Sequence, residues 1–301
     1  MKDIKNHFHK IPKADVHNHF HLGSSQKKII KAYPNVNIEF PKSYDGLNGM
    51  VNFIYGSLNT IMVSKEDVIK FMELSIESNI DDNVTYLEAS VDVNLARFFN
   101  DSIEEVIEVV KNLKETYKTQ IDFKPEIGIN KDLPIDKVYL YSEACMDSGI
   151  FEGIDLYGKE ADQNLKPFEE LFESAKKNRL KTKVHIGEFS DSKSIEKTIY
   201  SLNPDEIQHG INAVNSTKVM DLILERDIRL NICPKSNIYL GAVKNLKTHP
   251  IRTLFDKEIR VTVNTDDLIL FNSTVSQELI DLVDNKVFSF DEAETIRQNA
   301  F

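Results

Sequence analysis

Four short runs bring histidine and carboxylate residues together in a chain of 301 residues: His17-Asn18-His19, His185-Ile186-Gly187-Glu188, His209-Gly210 and Asn264-Thr265-Asp266-Asp267. Alternate residues of a strand point to the same side, so His17 and His19 face one way and make a two-point clamp for a cation. Such a pair alone is as readily a hydrogen-bonded core pair. A third imidazole, His185, and the hard carboxylate oxygens of Asp266 complete a ligand set suited to zinc. Three histidines and an aspartate converging without a cation are costly to bury, and a divalent ion removes that cost. Glu188 lies three residues beyond His185, within reach as a general acid that does not itself ligate. His209 is placed to orient or deprotonate a water whose pKa the ion lowers, and Asp267 to contact substrate. Taken singly, each of these side chains also reads as a satisfied surface or supporting group.

The elements that must position these residues follow from periodicity. Strands are expected over 13–19, 84–91, 121–129, 151–157, 182–186, 206–208, 228–232 and 260–264. Helical patterns separate them at 65–79, 102–118, 135–149, 165–178, 193–202, 217–226 and 251–257, with a last one at 273–284. Their apolar residues recur at three- and four-residue intervals, as in Val106, Ile107, Val110 and Leu113. Ser64, Asp101 and Asp191 or Ser192 read as helix caps. Eight strands each followed by a helix predict one (β/α)8 TIM barrel domain over 1–301, with an open doubly wound sheet as the competing architecture. All four polar runs then fall at strand carboxyl ends, where such barrels carry their sites. The long connection 23–62 after the first strand reads either as a lid over the site or as packing. Its apolar residues (Leu47, Met50, Val51, Phe53, Ile54, Tyr55, Leu58, Ile61) sit at helical spacing.

Composition narrows the partners. Charged residues are 37 basic and 48 acidic, a net charge of −11 with both signs well mixed. No basic face for a nucleic-acid backbone is expected, and a small-molecule substrate is. Two cysteines, Cys145 and Cys233, are too few for a disulfide framework or a cysteine zinc site. The polar residues 1–10 lack the apolar core of a signal peptide, and no apolar run is long enough to span a membrane, so a cytoplasmic protein is expected.

From about residue 12 to 301 the sequence resembles the adenosine/AMP deaminase family of the amidohydrolase superfamily. The resemblance rests on Pro12-Lys13-Ala14-Asp15-Val16-His17-Asn18-His19, similar to the family's opening HxH strand, and on Gly153-Ile154-Asp155-Leu156-Tyr157-Gly158-Lys159-Glu160, similar to GIDLxGxE. It continues with His185 to Glu188 (HAGE), His209-Gly210, Cys233-Pro234-Lys235-Ser236-Asn237 (CPxSN) and the block from His249-Pro250 to Asp267.

The resemblance implies a metal-dependent hydrolase that binds Zn2+ through His17, His19, His185 and Asp266 and deaminates adenosine or a related 6-aminopurine compound. Its catalytic set would be Glu188, His209 and Asp266. Glu188 would protonate ring N1 as hydroxide attacks C6, and His209 would position that hydroxide. Gly158, Asp267, His19 and His21 would meet the purine nucleoside or base, Asp267 at N7 and the Gly158 N–H at N3. Cys233 and His249 read as packing or loop-shaping residues.

Some positions depart from the family pattern. His21 stands where an acid usually reads the N9 substituent, which implies either a solvated loop residue or altered recognition of that substituent. Ser90 replaces the arginine of Glu-x-Arg and so removes a buried cation. Leu268 replaces a proline, and Ile186 replaces a smaller alanine, implying a tighter pocket floor. The chain stops soon after Asn299-Ala300, where family chains continue, which puts barrel closure at risk. His21 and Ser90 motivate a second reading, a deaminase of another amine-bearing heterocycle. A third is a catalytically silent deaminase-like binding protein.

Overall fold

The computed structural model describes residues 3–160 and 164–301. Eight strands alternate with helices: β1 Lys13–Asp15, β2 Val84–Asp92, β3 Asp122–Asn130, β4 Gly153–Tyr157, β5 Lys181–Ile186, β6 Glu206–His209, β7 Arg229–Ile232 and β8 Val261–Val263. Each pairs in parallel with the next, in sequence order. The ring closes just beyond β1 and β8, where the Asp266 N–H donates to His17 O (2.9 Å) and the His19 N–H to Asp266 O (3.2 Å). The structure is therefore the (β/α)8 barrel, not the open sheet, and closure is achieved with the chain as it stands. Among the described residues no helix is long and apolar enough to cross a membrane.

Local chemistry explains most element boundaries. The helix Lys65–Asp81 starts with a reciprocal capping box between Ser64 and Asp67. Asp191 caps Ser192–Leu202 through the Ser194 N–H. The cap of Ile103–Tyr117 is Ser102 and not Asp101, because Asp101 sits at φ 62° in the turn that ends the preceding 3-10 helix. That helix buries Ile103, Val106, Val110 and Leu113, while Ile107 stays half-buried. The first strand is shorter than expected: Asn18 and His19 make single bridges, to Asp266 and Ser90.

The connection 23–62 folds into helices Gln26–Ala32 and Gly46–Gly56 and a 3-10 turn Leu58–Thr60. Helices Ile4–Lys10, Pro234–Tyr239, Leu268–Phe271 and Phe290–Gln298 add to the expected elements; with at most nine residues each they carry little periodic signal.

The lower half of the barrel holds ions. Lys183, fully buried on β5, places Nζ 2.5 Å from Glu88 and 2.8 Å from Glu126, and donates to Val16 O at 2.8 Å. Arg229 of β7 bridges to Glu206 (2.9 Å) and Glu88 (3.5 Å), and Lys181 reaches Glu88 (2.6 Å) and Glu206 (3.1 Å). The barrel thus keeps buried cations despite Ser90, supplied from β5 and β7.

Candidate active site

At the carboxyl ends of the strands the expected residues meet. The His17 ring lies 4.8 Å from that of His185 and 4.6 Å from that of His209, and His19 lies 5.2 Å from His185. One ring nitrogen from each of His17, His19 and His185 falls within 4.8 Å of the others. Asp266 Oδ1 stands 3.7 Å from His17 Nε2 and 3.5 Å from His19 Nε2. Two observations test whether this set suits a cation. His17 Nδ1 meets the Asn231 carbonyl at 2.9 Å, so its proton is held there and the Nε2 lone pair is free. That Nε2 is buried and has no partner. An orphaned acceptor beside a carboxylate and two more imidazoles fits a divalent metal.

Backbone geometry supports the same point. Asp266 (φ 58°) and His209 (φ 66°) both occupy the left-handed region, which is strained for a residue with a side chain. Gly187 is also left-handed (φ 78°), and a Cβ there would lie 2.4 Å from Ile195 Cδ1, so only glycine lets the chain turn between His185 and Glu188.

Glu188 is buried and accepts a hydrogen bond from Asn237 Nδ2 at 2.6 Å. Burial, reinforced by the charges of Asp266 and Glu160, holds its carboxyl well above the usual range, so it keeps its proton near neutrality. Its loop hangs on Glu160, whose carboxylate accepts from the N–H groups of Gly187 (2.8 Å), Glu188 (3.1 Å), Phe189 (3.2 Å) and Ser190 (2.9 Å). His209 places Nε2 3.6 Å from Glu188 and 3.9 Å from Asp266. Burial and the neighbouring His185 and His19 keep His209 neutral. Asp267, also buried, has an Oδ1 without a partner, and burial with the adjacent Asp266 charge pushes it up to about 7.

A cavity of about 360 Å³ opens over this cluster, and His19, His21, Gly158, His185, Glu188, His209, Asp266 and Asp267 all line it. Its far wall is apolar, built by Leu47, Met50, Val51 and Ile54 of the helix Gly46–Gly56, none of whose residues is fully buried. His21 is a buried wall residue, not a solvated loop residue. Ile186 does not line the cavity. It packs in the core because it alternates with His185 on β5, so it tightens the layer behind the strand and not the floor.

Cys233 is buried beside His17, His209 and Asp266, and burial with the Asp266 charge pushes its thiol well above the usual range. Several supporting residues escaped the sequence reading. Asp155 stands 3.2 Å from His185 Nε2, and Lys131 Nζ donates to the His185 carbonyl at 3.2 Å. Glu160, Asp155 and Asn237 lie inside the family-like motifs, which was their only signal. Asn231 and Lys131 gave none.

Comparison with known proteins places the chain in a family. Residues 12–301 match the family described as adenosine deaminase. A Treponema pallidum (strain Nichols) protein, provisionally named an adenosine/adenine deaminase, is 37% identical over 284 residues, covering 94% of this chain and 94% of its own length. Adenine deaminase from Arthrobacter aurescens has a similar structure, with TM-score 0.85 and 22% identity over 96% of this chain and 92% of its own. An amidohydrolase from Burkholderia ambifaria, solved with bound Zn, gives TM-score 0.81 and 16% identity over 100% of this chain and 87% of its own. With the whole barrel matched and a deaminase-like relative aligned end to end, the chain belongs to the adenosine deaminase family and is an aminohydrolase of the deaminase type.

Proposed function

We propose that the protein hydrolytically deaminates adenosine or a related 6-aminopurine, with one Zn2+ held by His17, His19, His185 and Asp266. The observation that carries this reading is a buried carboxyl, Glu188, lining one cavity together with the imidazoles of His19, His185 and His209 and the carboxyl of Asp266. A divalent ion held by these four side chains supplies the Lewis acidity that makes water nucleophilic near neutral pH.

The remaining steps belong to the protein's own groups. Glu188 gives its proton to ring N1, which draws electrons from C6. Asp267, protonated below about pH 7, donates to N7, and the Gly158 N–H meets N3. His209 holds the incoming oxygen over C6. A C6–O bond forms, the C6–N bond breaks, and water's two protons and that of Glu188 are redistributed so that ammonia leaves, a 6-oxo purine remains and Glu188 regains its proton. The segment 23–62 acts as a lid in this single-domain reading, its apolar helix excluding water from the reacting atoms. The zinc-bearing Burkholderia ambifaria amidohydrolase supports the choice of ion.

A second reading, a different amine-bearing heterocycle, draws on His21, a buried wall residue where the family reads the N9 substituent. Ammonia release measured side by side on adenosine, adenine, pterins and aminopyrimidines separates the two. The first reading expects an aminopurine to lead by at least about tenfold in kcat/KM, or about 1.4 kcal/mol. A pterin or pyrimidine in the lead overturns it.

A further inference from the structure

We propose that His249 and Asn237 are positioning residues that fix where the protons of Glu188 and His209 lie, making His209 a hydrogen-bond donor to the reacting oxygen and not its base. The chain of assignment begins at a group with no choice. The Ile251 backbone N–H donates to His249 Nδ1 at 3.1 Å, so that nitrogen is an acceptor. His249 is 3% exposed, and burial lowers its pKa to about 3, so the ring is neutral and carries its single proton on Nε2.

Nε2 meets Asn237 Oδ1 at 3.1 Å, which requires the amide oxygen on that side. The two N–H bonds of the fully buried Asn237 then point the other way. One goes to Glu188 Oε1 at 2.6 Å and the other to His209 Nδ1 at 3.2 Å. The backbone holds Asn237 in place from both sides, its N–H on Cys233 O (3.0 Å) and its C=O taking the Val243 N–H (3.0 Å).

Two consequences follow for the reacting groups. Glu188 Oε1 is committed as an acceptor, so its acidic proton sits on Oε2. His209 Nδ1 is likewise an acceptor, so His209 presents an N–H at Nε2, the atom that faces Glu188 and Asp266. An Nε2–H cannot remove a proton from water; it can hold an oxygen in line. The structure thereby separates the two roles, orienting or deprotonating, that the sequence left open for His209. The inference rests on the roles given to Glu188 and His209 above, but the tautomer itself is readable without turnover.

The test uses the full-length, metal-loaded protein labelled with 15N-histidine. His209 resonances are assigned by comparison with His209→Gln. The expected spectrum shows His209 protonated at Nε2 with Nδ1 bare. His249→Ala should lower kcat about 100-fold, within the range for a misplaced acid. It should leave KM within about threefold and convert His209 partly to the Nδ1–H form. His249→Gln, which can still accept from Ile251 and donate to Asn237, should recover most of the loss. A wild-type His209 protonated at Nδ1 overturns the proposal, as does His249→Ala with unchanged kcat and unchanged tautomer. Should His249→Ala not fold, the wild-type spectrum alone decides. Absence of turnover on every aminopurine, with the Nε2–H tautomer present, would count against the deaminase reading and not against this one.

Discussion

The two ends of the barrel interior treat buried charge in opposite ways. Below, Lys183, Lys181 and Arg229 face Glu88, Glu126 and Glu206, and every ion has a counter-ion within 3.7 Å. Among the described residues of this network, Arg229 Nε lacks a partner. At the mouth, His17, His19, His185 and His209 crowd Asp155, Glu188, Asp266 and Asp267, Lys131 bonds the His185 carbonyl, and His17 Nε2 and Asp267 Oδ1 are buried without partners. The same strand serves both ends, since Lys181, Lys183 and His185 alternate along β5. The lower end is built for stability, with its charges compensated within the protein. The upper end keeps buried polar atoms without partners, which on the proposed reading a cation and a polar heterocycle would satisfy.

Substitutions on each side should therefore have different signatures. Glu188→Gln is nearly isosteric and keeps the acceptor for Asn237, so it should cut turnover about 10²- to 10⁴-fold. Metal content and melting temperature should hold or rise. Steady-state kinetics beside thermal unfolding checks this, and a variant that is active but unstable would reverse the assignment. Lys183→Met strips Glu88 and Glu126 of their shared cation and should cost about 3–5 kcal/mol in urea unfolding. A loss under about 1 kcal/mol would show that the lower network is no more committed than the mouth.

Glu278 is a buried carboxyl that belongs to neither cluster. Burial pushes it up to about 8. Because its folded value exceeds its unfolded one, the folded state binds the extra proton between about pH 4.5 and 8. Stability should fall with rising pH through that window, by up to about 1.4 kcal/mol per unit for one proton, and level off above it. Glu278→Gln should flatten that slope. Urea unfolding at several pH values reads it, and an unchanged slope would mean that Glu278 is not the group responsible.

How much of this was legible beforehand depended on the distance over which each feature is specified. The strands were, because their short runs stand out between the longer helical patterns. The clustering of His17, His19, His185 and Asp266 was, because histidine and aspartate at strand ends have few other reasons to recur there. The Lys183–Glu88 pair spans 95 residues and the His17–Asn231 contact 214, and neither Lys183 nor Asn231 carries a motif. Only closure of the ring brings them together. Asp101 and Ser102 are equally good caps by type, and the choice between them lies in a backbone angle. Gly46–Gly56 was visible as helical spacing, while its place as the cavity wall required the fold.

On the proposed reading, one divalent ion completes the upper end of the barrel, and the chemistry depends on it. Ammonia release from adenosine, followed while Zn2+ is titrated into chelator-stripped protein, tests it most directly. The predicted curve starts near zero and reaches a plateau at one ion per chain. Full activity in the stripped protein, or a folded protein that takes up no zinc, would contradict it.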